Sequence, residues 1–280
     1  MSSSSGPSRP APVTHVGRVV RAERVTPNMH RVVLGGEGLA QFDAGRYTDH
    51  YLKLMFPRPG VDYPQPFDGA AARATLPREQ WPVTRTYTVR EWDPIRREIT
   101  VDFVLHGDTG LAAQWAVHAR PGDELQFGGP GGAYAPDPQA GWHLLAGDES
   151  ALPAIAASLP HVPAGATGHA LVEVADLADR QDIPGVTWLH RGPGPVGSAL
   201  VPAVLALPFP ADPAQVHAFV HGEATFVKEL RRYLRVERAL PRDRMSVSGY
   251  WRLGHDEDGW QASKRDWNAQ IEAEQEPAFS

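Results

Sequence analysis

The sequence predicts two architectures in one chain: an antiparallel β-barrel in the first half, then a parallel-sheet α/β domain. Three observations predict this. Up to about residue 127 the β-forming runs are short and separated by Gly- and Pro-rich turns, as in barrels and sandwiches. From residue 142 onward, apolar strands alternate with helical stretches, the pattern of a parallel sheet covered on both faces. Between the two lies Gly128-Gly129-Pro130-Gly131-Gly132, where the texture of the chain changes.

In chain order, Val16–Glu23 alternates weakly, and His30–Leu34 and Tyr51–Phe56 are rich in β-formers. Pro59–Pro82 carries prolines, glycines and alanines without a period and reads as a long surface excursion. Arg85–Glu91 and Glu98–Leu105 are strands with turn chemistry at Asp93-Pro94 between them, and a helix is expected near Gly110–His118. Asp123–Phe127 follows the turn pair Pro121-Gly122. In the second half, strands are expected at Trp142–Ala146, Ala170–Val174, Val186–His190, His217–His221 and Met245–Trp251. Helices are expected at Ser150–Ser158, Val196–Leu207 and Ala224–Arg238, and Asp256–Glu276 reads as a polar, acidic helical tail. The expected organisation is a disordered Ser/Pro-rich tail over 1–13, the barrel over 14–136, the α/β domain over 137–255 and the tail over 256–280.

The totals narrow the function. The chain has 280 residues, a net charge of −6 and no basic run, which argues against nucleic acid. It has no cysteine, which excludes disulfides, a cysteine-ligated iron–sulfur cluster and a thiol nucleophile. No apolar run is long enough for a bilayer and no signal peptide is visible, so a soluble, cytoplasmic protein is expected. The expected oligomeric state is a monomer. The 12 histidines are scattered without His-Glu-x-x-His spacing, so no protein-ligated catalytic metal is expected. Gly-x-Ser-x-Gly and P-loop patterns are also missing from the sequence.

The residues that carry chemistry suit a flavin. In the strand Arg85-Thr86-Tyr87-Thr88, Tyr87 can cover the ring, Thr88 can bond its polar edge, and Arg85 can serve as a charge-assisted donor to the pyrophosphate. The same four residues also suit an ordinary amphipathic strand. Downstream, Asp102-Phe103-Val104-Leu105-His106 runs through a glycine turn into Gly110-Leu111-Ala112-Ala113, where a helix N-terminus and small side chains allow close approach of phosphate. Gly147-Asp148-Glu149-Ser150 ends the first parallel strand, where open α/β sheets bind ligands; Asp148 or Ser150 can equally cap the next helix. Near the end of the second, Glu173 and Asp176 could bond a ribose hydroxyl of NADH, whereas Arg180 and Arg191 could receive the 2′-phosphate of NADPH.

Taken in this order, five motifs resemble the siderophore-interacting proteins, FAD-containing ferric-siderophore reductases of the ferredoxin-reductase-like group. The carriers are Arg85–Thr88, Asp102–Gly107, Gly110–Ala116, Gly147–Ile155 and Ser248-Gly249-Tyr250-Trp251-Arg252, and the resemblance spans roughly Val16 to Glu276. It implies FAD on the barrel, with Tyr250 and Trp251 beside it, NADPH or NADH at the second domain, and a ferric siderophore at the exposed flavin face. Lys53 and Arg252 match two basic positions of the siderophore pocket. A third such position falls on Gly131, a departure that weakens the case for a strongly anionic ligand. Two other roles stay open at this level: a reductase serving a ferredoxin-type protein, and a non-catalytic flavin or siderophore carrier whose acidic tail covers the nicotinamide position.

Overall fold

The computed structural model describes residues 13–105 and 110–276. His106 and residues 1–12 of the expected tail lie outside the described residues. The first half is a closed six-stranded antiparallel barrel, in the order β1-β2-β5-β4-β3-β6. Its strands are β1 (Thr14–Thr26), β2 (Met29–Gly35), β3 (Tyr51–Phe56), β4 (Val83–Asp93), β5 (Glu98–Val104) and β6 (Glu124–Gly131). Closure leaves no free sheet edge. The interior is filled by alternating positions such as Val19, Val32, Leu34, Leu52, Leu54, Val101, Phe103 and Phe127.

Among the described residues, two α-helices belong to this half. The excursion expected to lack structure contains α1 (Gly69–Thr75), because Asp68 caps it by accepting from Ala70 and Ala71 N–H. The helix α2 (Leu111–His118) follows β5 and packs its small face, Ala112 and Ala116, against the barrel core.

The second half is a five-stranded parallel sheet in the order β11-β10-β7-β8-β9. Its elements are β7 (Trp142–Gly147), α3 (Leu152–Ser158), β8 (Thr167–Val174), β9 (Val186–His190), α4 (Leu200–Leu205), β10 (Val216–Glu223), α5 (Ala224–Arg232) and β11 (Met245–Trp251). One face carries Leu144, Ala146, Ala218 and Val220 against α4 and α5. The other carries Leu145 and Phe219 with Leu152 and Ile155 of α3. Both faces are therefore covered, which explains the unbroken apolar strands. The helix α4 is shorter than the expected Val196–Leu207, and α5 gives way at Tyr233 to a wide π-helical turn.

The strand order reverses between β7 and β10, and chain is packed tightly there. A Cβ on Gly147 would lie 2.4 Å from the His221 carbonyl, so only glycine lets these two strands approach. The acidic tail is α6 (Glu257–Gln275). It is docked rather than loose: Trp260 is fully buried, Ile271 is buried, and Glu276 pairs with Arg231 and Arg235 at 2.8 and 2.7 Å.

The halves are pinned together by polar contacts. Thr48 Oγ1 of the barrel half lies 2.7 Å from Ser158 Oγ at the end of α3. Asn28 donates through backbone and side chain to buried Asp179.

Candidate functional site

A cleft of about 1100 Å³ runs between the barrel wall and the carboxyl ends of the parallel strands. Its barrel side is set by the register of β3 and β4. Tyr51 pairs with Thr88 and Lys53 with Thr86, so these four side chains share one face. Leu52 pairs with Tyr87 and Leu54 with Arg85. Tyr87 rests on Phe103 with ring centroids 4.4 Å apart, and burial pushes its phenol pKa upward, so it stays protonated.

The sheet side is built around the reversal of strand order. Asp148 Oδ2 accepts from Glu223 N–H at 2.9 Å and from Trp251 Nε1 at 2.8 Å. Its Oδ1 accepts from Ser150 N–H at 2.9 Å and from the Ser150 hydroxyl at 2.5 Å. One buried carboxylate thus ties together the ends of β7, β10 and β11. Burial raises its pKa to about 6 against these hydrogen bonds. Tyr250 is half-buried beside it and hydrogen-bonds Thr88 across the cleft, and loss of solvation raises its phenol pKa. The His221 ring stacks on Phe219 at 3.9 Å and meets Ser246 Oγ at 2.9 Å; burial, with Lys264 nearby, lowers its pKa to about 3.

Many of the residues singled out in the sequence converge here. Lys53, Arg85–Thr88, Asp102, Val104, Gly110–Ala113, Ser150, Arg191, Tyr250, Trp251 and Arg252 all line the cleft. Asp102 is there as a partner of Arg31, at 2.6 and 2.8 Å, which uses both its oxygens.

Other expected contacts do other work. Leu105 donates its N–H to Asn28 O and is not a cleft-lining residue. Asp148 is the clamp just described. Glu149 accepts from Ala175 N–H and Arg191 Nη1. Glu173 is fully buried and accepts from the N–H groups of Gly197, Ala199 and Leu200, so its carboxylate serves the start of α4 rather than a ribose. Asp176 caps the short turn Leu177–Asp179, and Arg180 is exposed outside the cleft.

Sequence reasoning missed Tyr51, His221 and the N-terminal part of α6 as cleft-lining groups. Lys264 is the main omission. It lies 4 residues after Trp260, in the stripe continued by Trp267 and Ile271, a spacing that marks one helix face. Burial and nearby Lys53 lower its ammonium pKa, so α6 brings a second amine to the β3 face. The glycine at 131 also has a local reason. A Cβ there would fall 2.3 Å from the Tyr51 ring, which occupies the space a basic side chain would need.

FAD fits this donor set. Arg85 already draws anions: its Nε faces Glu257 Oε2 at 3.2 Å and its Nη1 donates to Asp258 Oδ1 at 2.8 Å. The Thr86 N–H donates to Glu257 Oε1 at 3.2 Å. Gly110–Ala113 at the start of α2 line the cleft, and the N-terminus of a helix carries free N–H groups that suit an anion. Tyr87 and Tyr250 supply aromatic walls.

Comparison with known proteins agrees with this geometry. Residues 18–134 match the siderophore-interacting FAD-binding domain and residues 140–254 match the siderophore-interacting protein model. The chain is 36% identical to the ferric vibriobactin reductase of Vibrio cholerae, over 86% of this chain and 90% of that one. It is 32% identical to the NADPH-dependent ferric-chelate reductase of Escherichia coli, over 83% and 91%. The crystal structure of the siderophore-interacting protein SipS from Aeromonas hydrophila superposes with a TM-score of 0.77 at 31% identity, covering 92% of this chain and 99% of that one. The barrel, the parallel sheet and the cleft between them thus belong to a member of the siderophore-interacting protein family, with that family's FAD-binding domain as its first half.

Proposed function

We propose that this protein is an FAD-dependent reductase of ferric siderophores, taking electrons from NADPH or NADH and acting as a cytoplasmic monomer. The observation that carries the reading is one cleft that joins an aromatic, anion-holding barrel wall to the reversal point of a parallel sheet and gathers Lys53, Lys264 and Arg252 at the same opening. Bound FAD would supply acceptance of a hydride and delivery of electrons to Fe(III), chemistry that needs no acid or base on the protein.

The protein's own residues place the reactants. Arg85, the Thr86 N–H and the start of α2 would hold the pyrophosphate; Tyr87, Thr88 and Tyr250 would frame the ring. Ser150 and Arg191 lie on the sheet side, where NAD(P)H would enter. Arg191 is already paired with Glu149, which leaves it less able to select a 2′-phosphate. The amines Lys53 and Lys264 would raise the local concentration of an anionic chelate, with Fe(III) as substrate. Reduction weakens hard-oxygen ligation and releases Fe(II).

The test is a visible spectrum of purified protein during anaerobic addition of NADH, then NADPH, then a ferric chelate with a ferrous trap. Bleaching of the flavin band near about 450 nm, its return on adding the chelate, and trapped Fe(II) are expected. Protein that is colourless and stays so in added FAD would sink the proposal.

A further inference from the structure

The first turn of α6 sits on the groups proposed to hold the FAD pyrophosphate. Every nitrogen of the Arg85 guanidinium is engaged. Nε faces Glu257 Oε2 at 3.2 Å, Nη1 donates to Asp258 Oδ1 at 2.8 Å and to Thr84 O at 2.9 Å, and Nη2 reaches Asp258 Oδ2 at 3.4 Å. The Thr86 N–H is held by Glu257 Oε1. Two carboxylates stand where a doubly charged pyrophosphate would be drawn. Four negative charges cannot share one guanidinium without strong repulsion.

We infer that the first turn of α6 is a displaceable occupant of the cofactor site: Glu257 and Asp258 hold Arg85 and the Thr86 N–H in the flavin-free protein, and FAD lifts them off to bind. The inference rests on the FAD reading above and adds a competitor that belongs to the chain itself.

The local construction suits a limited movement. Before the turn lies Gly254, at φ +80° and with nothing within 4 Å of its would-be Cβ, so it can act as a hinge. Within the turn, Gly259 weakens the helix, and its N–H is held by the Asp256 cap at 2.7 Å. Immediately after it, Trp260 is fully buried and lies against Gly249, where a Cβ would be 3.0 Å from the indole. Beyond Trp260 the helix is tied to α5 by Lys228–Glu274 at 2.7 Å and by the Glu276 pairs. Trp260 is the fixed point, and residues 256–259 are the part free to swing.

The experiment uses the full chain stripped of flavin. FAD binding is titrated by flavin fluorescence for the wild type and for a Glu257→Gln/Asp258→Asn double variant, with riboflavin as a probe that lacks the pyrophosphate. The variant keeps the side-chain shapes and removes the charge. About ten-fold tighter FAD binding is expected, the scale of losing one charge-assisted competitor, with riboflavin binding unchanged. Hydrogen exchange is expected to speed up at residues 257–261 of the wild type when FAD is added. Unchanged or weaker FAD binding by the variant, an equal gain for riboflavin, or unaltered exchange in that turn would overturn the latch while leaving the FAD reading intact. A wild type that binds no FAD would overturn both.

Discussion

At the scale of single residues, function here depends on which polar groups are left available. Glu173 and Arg85 illustrate the two cases. Both were candidate ligand contacts in the sequence, but Glu173 is enclosed by three backbone N–H donors, whereas Arg85 is held by carboxylates that water and a ligand can challenge. Arg85→Ala should therefore weaken FAD retention by about ten-fold or more, since hydrogen bonds to charged groups contribute about 1.5–3 kcal/mol. Flavin content after exhaustive dialysis measures this, and unchanged occupancy would remove Arg85 from the pyrophosphate site. The alternation of Arg85–Thr88 was readable in sequence; the partners of these residues were not, because Glu257 and Asp258 lie more than 170 residues away.

Among elements, α6 shows most clearly how composition misleads. The sequence reads as a polar, acidic helical tail, yet Trp260, Lys264, Trp267 and Ile271 follow a helical stripe that packs on the sheet edge. That stripe makes α6 part of the cleft wall. Trp260→Ala should cost about 3–5 kcal/mol and free the helix from the cleft. Chemical denaturation gives the first quantity, and faster hydrogen exchange throughout α6 would mark the second. Stability within 1 kcal/mol of wild type would mean that the helix is held by its ion pairs instead. The strands were easier to read. Tyr51–Phe56, Val186–His190 and Met245–Trp251 match the sequence expectation at both ends, because β-branched and aromatic runs bounded by turns leave few alternatives. The shortened α4 reflects Pro202 and the capture of its first turn by Glu173.

For the whole molecule, burial of neutral histidines predicts acid sensitivity. Burial lowers the pKa of His217 to about 4 and that of His221 to about 3, from an unfolded value of 6.5. The unfolded chain then binds more protons below 6.5, so stability from these two groups is present above that pH and is lost as pH falls toward 4 and 3. Asp148 acts in the opposite direction. Its folded pKa of about 6 exceeds the ordinary carboxyl value of 3.8, so its contribution is lost as pH rises between those values. Two histidines against one carboxyl give a net fall in stability on acidification from 6.5 to 4. His30, His50, His143 and His169 are also lowered by burial and add to it. The thermal midpoint should drop over this range, with a shallower slope in His217→Gln. A midpoint independent of pH, or one rising toward pH 4, would contradict this balance.

Period and turn chemistry alone determined the succession of barrel and parallel sheet, since alternation with short turns and continuous apolar runs are local properties of the chain. They also located the strand Arg85–Thr88 and the turn Gly147–Ser150. Only the tertiary structure decided which of these side chains face a common cleft, because strand register and the docking of α6 join residues far apart in sequence. Register put Lys53 beside Thr86, packing of Trp260 carried Lys264 and Glu257 to the same opening, and the Tyr51 ring accounts for glycine at 131. Those contacts depend on the balance of burial and charge across the assembled fold, which short motifs do not encode.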